Sequence, residues 1–327
     1  MSKVFSSTED QIKKLQSRGM IIDDINVSKS VIERENYYNL INGYKELFLD
    51  NTYTGSDEKY LPNTNFNEIY ALYLYDRALR NIFIKYILEI ENNIKSILSH
   101  DFSGKYGHDN YLKIKNFETR VHPNSNETKA QKIGKIADLI ANLQKEISHQ
   151  LKKNSPMISH YMLQYGYVPL WVLINTLSLG TVSTFYSYLK QKDQNDIGKF
   201  FKIKPDELSK ILFVLTIFRN ACAHDERLFN LKSIKQNATP NNIKDTDIHK
   251  KLNIRKNTSN NYVCGKNDLF AVVIIFKKML TEKSFKKFYY TIIDEIENLR
   301  KELKTISIDD VLYAMGFPNN WKDIINV

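Results

Sequence analysis

The sequence predicts an all-α fold, and three observations predict it. Apolar residues recur with a helical period in several stretches, the longest being 66–103, which contains no proline or glycine. Capping-box signatures, Thr8-x-x-Gln11 and Ser30-x-x-Glu33, open two of the early ones. Among 327 residues there are 20 tyrosines and 17 phenylalanines but only 11 glycines and 7 prolines. That balance favours long packed elements over many turns.

Taken in order, a first short helix is expected over 9–18, stopped by Gly19, followed by a brief extended or loop segment at 20–25. Ser30 is expected to open a second helix, which Asn42-Gly43 ends or bends. Residues 51–65, with Gly55 and Pro62, read as a loop. The long helix from Phe66 carries its apolar stripe at Ile69, Leu72, Leu79, Phe83, Tyr86, Ile87, Ile90, Ile94 and Leu98. Asp76, Arg77, Arg80, Glu91 and Lys95 are assigned to its polar side. Asp76 and Arg80, four apart, read as a helix-surface pair worth a few tenths of a kcal/mol. A helix over about 132–152 follows, broken by Pro156, and a short apolar helix lies between Pro169 and Gly180. Another starts at Gly180. Pro205, with Asp206 and Glu207 in the first turn, opens a helix whose stripe is Leu208, Ile211, Leu212, Leu215, Phe218 and Cys222. Residues 232–266 are rich in Asn, Lys, Thr and Ser and read as a polar insertion with the composition of a mobile arm. Helices to Leu280, over 285–303 and from Ser307 to Gly316 complete a single domain spanning 1–327.

The net charge of +10, carried mainly by lysine, suits an anionic partner, nucleic acid first. A solvated lysine-rich surface explains the same charge. Two cysteines without a C-x-x-C pair form neither a disulfide framework nor a zinc site. No glycine-rich phosphate loop occurs, and no metal or cofactor is expected. The first residues hold no apolar run, and 269–276 is too short to cross a bilayer, so a cytoplasmic protein without a membrane is expected.

Chemistry is suggested at one place, Arg219-Asn220-Ala221-Cys222-Ala223-His224. Histidine exchanges protons near neutral pH. Arginine is a permanent forked cation suited to phosphoryl oxygens. Together they can cleave RNA without a metal: histidine deprotonates a ribose 2′-OH, and arginine holds the charge gathering on the phosphate. The spacing alone is a weak signal, since nine arginines and seven histidines in 327 residues give roughly 0.2 such pairs by chance. On a straight helix residues five apart also differ by about 140°. Either the helix loosens by His224, or the groups converge across a two-fold dimer. The alternatives are a helix-terminal histidine and an arginine paired with Asp225, Glu226 or another acid. Cys222 reads as core. His160 reads as a second functional histidine or a buried, hydrogen-bonded one. Arg77 and Arg80 could face RNA or simply solvent. Lys277, Lys278, Lys283, Lys286 and Lys287, interleaved with Phe276, Phe285, Phe288 and Tyr289, read as a basic and aromatic RNA-binding patch or as an amphipathic helix.

Four stretches in order, LQSRGMIIDD with ENYYNLINGY, IYALYLYDRALRNIF with IENNIKSILSH, HYMLQYGYVPLWVLINTLSLGTVSTFYSYL, and FRNACAHDERLFN, together with the closing MGFPNNW, resemble the Abi family of bacterial abortive-infection proteins, the AbiD/AbiF-like group of the HEPN ribonuclease superfamily. The resemblance implies an all-α HEPN-type bundle with extra N- and C-terminal helices, and a homodimer. It implies Arg219 and His224 as the catalytic pair, with Asn220 the polar residue after the arginine. It further implies RNA cleavage in phage defence and a small noncoding RNA as partner. A non-catalytic protein that holds such an RNA is the second function carried. Asn175 stands where an acid is expected in relatives, Leu179 where an aromatic is, and 232–266 matches nothing in the family pattern.

Overall fold

The computed structural model of the protein describes residues 5–123, 125–234 and 239–327. Among them are thirteen α-helices, joined by short 3-10 and π turns, with isolated β-bridges and no sheet. The first are α1 (Thr8–Ser17), α2 (Ile25–Glu35), α3 (Phe66–Tyr106), α4 (Lys129–Lys152) and α5 (Pro156–Tyr165). Next come α6 (Leu170–Leu173), α7 (Leu179–Tyr188), α8 (Gln191–Phe201), α9 (Pro205–Ala223) and α10 (Asp247–Lys251). The last are α11 (Leu269–Met279), α12 (Glu282–Glu302) and α13 (Ile308–Ala314).

The 41 residues of α3 form the axis, a rod of about 60 Å. A full capping box of Asn65 and Glu68 starts it, and Gly107, at φ +92°, stops it. α12, α9, α6 and α8 pack along its sides. Its middle is packed by Phe83, Tyr86, Phe276 and Phe288, whose rings meet edge-on or tilted. Its C-terminal end is closed by Phe102, Phe117 and Phe185. α7 packs on α9 and completes the wall beside the candidate site.

Several boundaries differ from the sequence expectation for local reasons. α2 starts at Asp24, whose carboxylate accepts the N–H groups of Asn26 and Val27, rather than at Ser30, which is interior. The apolar run after Pro169 is cut at Leu177, because Ser178 accepts the Thr181 N–H and caps α7. α5, α8 and α10 were not anticipated; each is eleven residues or fewer.

Segment 232–266 is anchored to the body instead of projecting as an arm; its stretch 235–238 lies outside the described residues. Ile243, Leu252 and Ile254 are buried, and so is His249. The His249 Nδ1 accepts the Thr246 N–H at 3.1 Å, so its Nε2 carries the hydrogen donated to the Gly265 carbonyl at 2.9 Å. Burial pushes this imidazole down to about 4, which keeps it neutral. Asp268 caps α11 and also accepts the Gly265 N–H; burial pushes its carboxyl up to about 6. Gly316, at φ +79°, lies so close that any Cβ there would run into the Asp268 carboxylate, which explains a glycine in the closing motif.

Candidate functional site

α9 begins as its sequence predicts, with Pro205 in the first turn and Leu208, Ile211, Leu212, Leu215 and Phe218 in the core. It ends at Ala223. His224 is the cap residue, with φ −106° and ψ 14°, and its N–H still reaches the Asn220 carbonyl at 2.9 Å. Asp225 takes the left-handed conformation at φ 57°, and the Glu226 N–H closes on the Ala221 carbonyl at 3.0 Å. This is a Schellman ending built on an aspartate in place of the usual glycine. The histidine therefore stands off the helix, at the start of a tight turn.

The turn is fixed from α3. Asp76 is fully buried and gathers four donors. They are the Tyr44 hydroxyl at 2.7 Å, Arg80 at 2.6 Å, the Phe229 N–H at 2.6 Å and the Leu228 N–H at 3.0 Å. Burial pushes the Asp76 carboxyl up, and these donors oppose the push. Arg80, also buried, pairs with Asp225 at 2.6 Å and donates to the Glu226 carbonyl at 3.3 Å. Asp76 and Arg80 thus hold the backbone on both sides of the turn that follows His224. They form a buried clamp rather than the surface pair expected, and Arg80 has no free face for RNA. The signal was present: Asp76 sits four residues after Leu72 and three before Leu79, on the apolar stripe itself.

Arg219 lies where α9 crosses a second buried pair of α3, Glu91 with Lys95, joined at 2.7 Å. Its Nε is 3.7 Å from Glu91 Oε2, and neither atom has a hydrogen-bond partner. Thus the acid beside Arg219 comes from α3 and not from Asp225 or Glu226. The arginine side chain remains 29% exposed, and its two terminal nitrogens make no hydrogen bond to any of the described residues. Asn220 and His224 are both exposed, and their side chains are likewise unengaged. No direct bond links the side chains of Arg219, Asn220 and His224. They share one helix end, with the arginine backed by a buried carboxylate and the histidine by a clamped turn. Ile217 and Phe213, the latter 41% exposed, continue the open face of α9 away from this end.

The remaining candidates separate clearly. Burial pushes the Cys222 thiol up to about 12, so it is not a thiolate nucleophile. His160 is exposed and meets Tyr161 and Tyr165 edge-on, in place of the buried, hydrogen-bonded histidine expected. Arg77 is tied to Glu35 at 2.7 Å and lies over the Tyr73 ring. In the C-terminal lysine patch, Phe276, Phe285, Phe288 and Tyr289 are core residues, and the aromatic that faces out beside the lysines is Tyr290, 58% exposed. Lys277 donates to the Ile325 carbonyl at 3.0 Å, and Lys278 and Lys286 pair with Glu207 and Glu282. Lys283 and Lys287 are exposed and pair with no acid among the described residues. That arrangement is the lysine face of an amphipathic helix. Among the described residues no group of three or more His, Cys, Asp or Glu is arranged to hold a metal ion, and no helix is long and apolar enough to cross a membrane.

Neither the curated proteins nor the solved structures give a match to this chain. A family model described as Abi-like protein matches residues 30–230, more than half of the chain, and the match takes in α3, α9 and the clamped turn. The chain belongs to this Abi-like family of abortive-infection proteins.

Proposed function

We propose that the protein is a metal-independent endoribonuclease of the HEPN type, acting in phage defence. The observation that carries this reading is the unspent chemistry at the end of α9. Arg219 keeps its terminal nitrogens free while a buried carboxylate holds its stem, and His224 stands exposed on a turn that α3 fixes. Buried charge is costly, and a guanidinium held this way is arranged for an anion from outside.

In the proposed reaction His224 takes the proton of a ribose 2′-OH. The O2′–P bond forms as the P–O5′ bond breaks, and the departing 5′ oxygen takes a proton from an imidazolium. The products are a 2′,3′-cyclic phosphate and a 5′-OH. Arg219 stabilises charge on the non-bridging phosphoryl oxygens, and Asn220 donates from the helix face it shares with His224. DNA is refused because it lacks the 2′-OH. Pairing of two chains through the open face of α9, where Phe213 is exposed, would bring two such sets into one cleft.

Purified protein incubated with RNA in excess EDTA tests this. Cleavage with cyclic-phosphate ends is expected, reduced about 10²–10⁴-fold by His224→Ala. Arg219→Ala should act similarly. Both groups are at least partly exposed, so neither variant should shift the urea midpoint appreciably. Cleavage that survives both substitutions, or RNA held without being cut, sinks the reading.

A further inference from the structure

A cavity of about 560 Å³ opens between α3 and the α6 turn. One wall is Asn92, Ser96, His100 and Ser103, a single stripe of α3 at helical spacing. The facing wall carries Trp171 and Asn175. No carboxylate, lysine or arginine lines it. Asn92 follows directly on Glu91, the residue against Arg219, so the cavity and the candidate site share one stretch of α3.

Its chemistry is specific. Trp171, 46% exposed, offers a flat indole face. The Asn175 amide is oriented by donating its Nδ2 hydrogens to the Trp171 and Val172 carbonyls at 2.9 and 3.3 Å, which leaves its Oδ1 an unused acceptor. The side chains of Asn92, Ser96 and His100 make no hydrogen bond to any of the described residues. The Ser103 hydroxyl is buried with no partner, which is unusual for a buried polar group and marks a place lacking its complement. Amides and hydroxyls opposite an aromatic plane suit a flat heteroaromatic ring with donors and acceptors on its edge. They do not suit a phosphate, which asks for cations.

We propose that this cavity takes one unpaired nucleobase of the RNA, stacked on Trp171 and read along its edge by Asn175, Asn92 and Ser96. The proposal rests on the ribonuclease reading and adds base selection next to the cut. With an acid at position 175 the wall would repel the strand; the asparagine found here offers the same acceptor without the charge.

The chain has two tryptophans, and Trp321 is only 2% exposed, so quenchable emission comes from Trp171. AMP, GMP, CMP and UMP are titrated separately into the His224→Ala protein. At least one should quench saturably. Trp171→Phe should abolish the quench, and Asn92→Ala should weaken the affinity about 5-fold, the equivalent of one lost hydrogen bond. On a randomised RNA, active protein should cut with a base preference that Trp171→Ala flattens. Absence of quenching by all four nucleotides, or quenching that Asn92→Ala leaves unchanged, overturns the proposal. So does emission that follows protein concentration and ignores nucleotide, since a second copy would then cover the cavity. Quenching without any RNA cleavage would sink the ribonuclease reading and leave the cavity assignment standing. Cleavage without base preference or quenching would do the reverse.

Discussion

Two acid–base pairs sit on the same face of the same helix, four residues apart in each case, and they behave differently. Asp76 with Arg80, and Glu91 with Lys95, are all buried on α3 where α9 and its continuation cross. The first pair is closed. Both oxygens of Asp76 accept hydrogen bonds, and Arg80 reaches Asp225 and the Glu226 carbonyl. The second pair is open. Glu91 uses one oxygen for Lys95 and leaves the other facing Arg219 at 3.7 Å without a bond. Equal spacing and equal burial therefore serve two ends. The closed pair fixes a backbone turn, and the open pair holds a cation whose outer nitrogens stay available. Buried charge costs several kcal/mol unless its partners are complete, so the incompleteness at Glu91 is where function is to be sought.

The sharpest way to break this contrast is to remove each carboxylate charge with the isosteric amide. Asp76→Asn leaves Arg80 buried beside a neutral amide. It also asks one oxygen to serve donors that now use two. A loss of about 3–5 kcal/mol is expected, the usual cost of breaking a buried pair. Urea unfolding measures it, and activity should fall in parallel because the His224 turn loses its anchor. A loss under about 1 kcal/mol would show that the turn does not depend on the clamp.

Glu91→Gln should cost less, about 1–2 kcal/mol, because only the bond to Lys95 weakens and the second oxygen has no partner to lose. Its signature lies in activity: Arg219 loses the carboxylate beside its stem while the fold persists. A stability loss equal to that of Asp76→Asn would erase the distinction between closed and open pairs. Unchanged cleavage would show that Glu91 does not position the arginine.

The contrast also explains what could be read from the sequence. The long helix, the Pro205 start and the Ser307 start depend on residues close in the chain, and the all-α class follows from them. The Arg219–His224 segment was visible as a motif, and the end of α9 at Ala223 puts the histidine off the helix. The partners were not visible. Nothing local tells that Asp225 pairs with Arg80, 145 positions away, or that Arg219 meets Glu91; both alignments are set by how α9 packs on α3. Charged residues within an apolar stripe, as at Asp76 and Glu91, are the signal that assigning every charge to the polar face overlooks. The segment 232–266 misleads for the related reason that several of its apolar residues, Ile243, Ile248, Leu252 and Ile254, are spaced irregularly yet buried.

The smallest expected effect separates the backbone of the turn from its ion pair. Asp225 adopts φ 57°, a conformation that costs a non-glycine residue about 1 kcal/mol, and its carboxylate pairs with Arg80. Asp225→Gly removes the strain and the pair together, so stability should stay within about 0.5 kcal/mol of the parent. Asp225→Ala keeps the strain and loses the pair, and should cost about 1–2 kcal/mol. Urea midpoints of the two variants decide the matter, because they lack the same carboxylate and differ in the cost of a left-handed backbone. Equal losses would assign the aspartate to Arg80 alone. A glycine variant as stable as the parent but slower in cleavage would show that the pair serves the placement of His224 more than the fold.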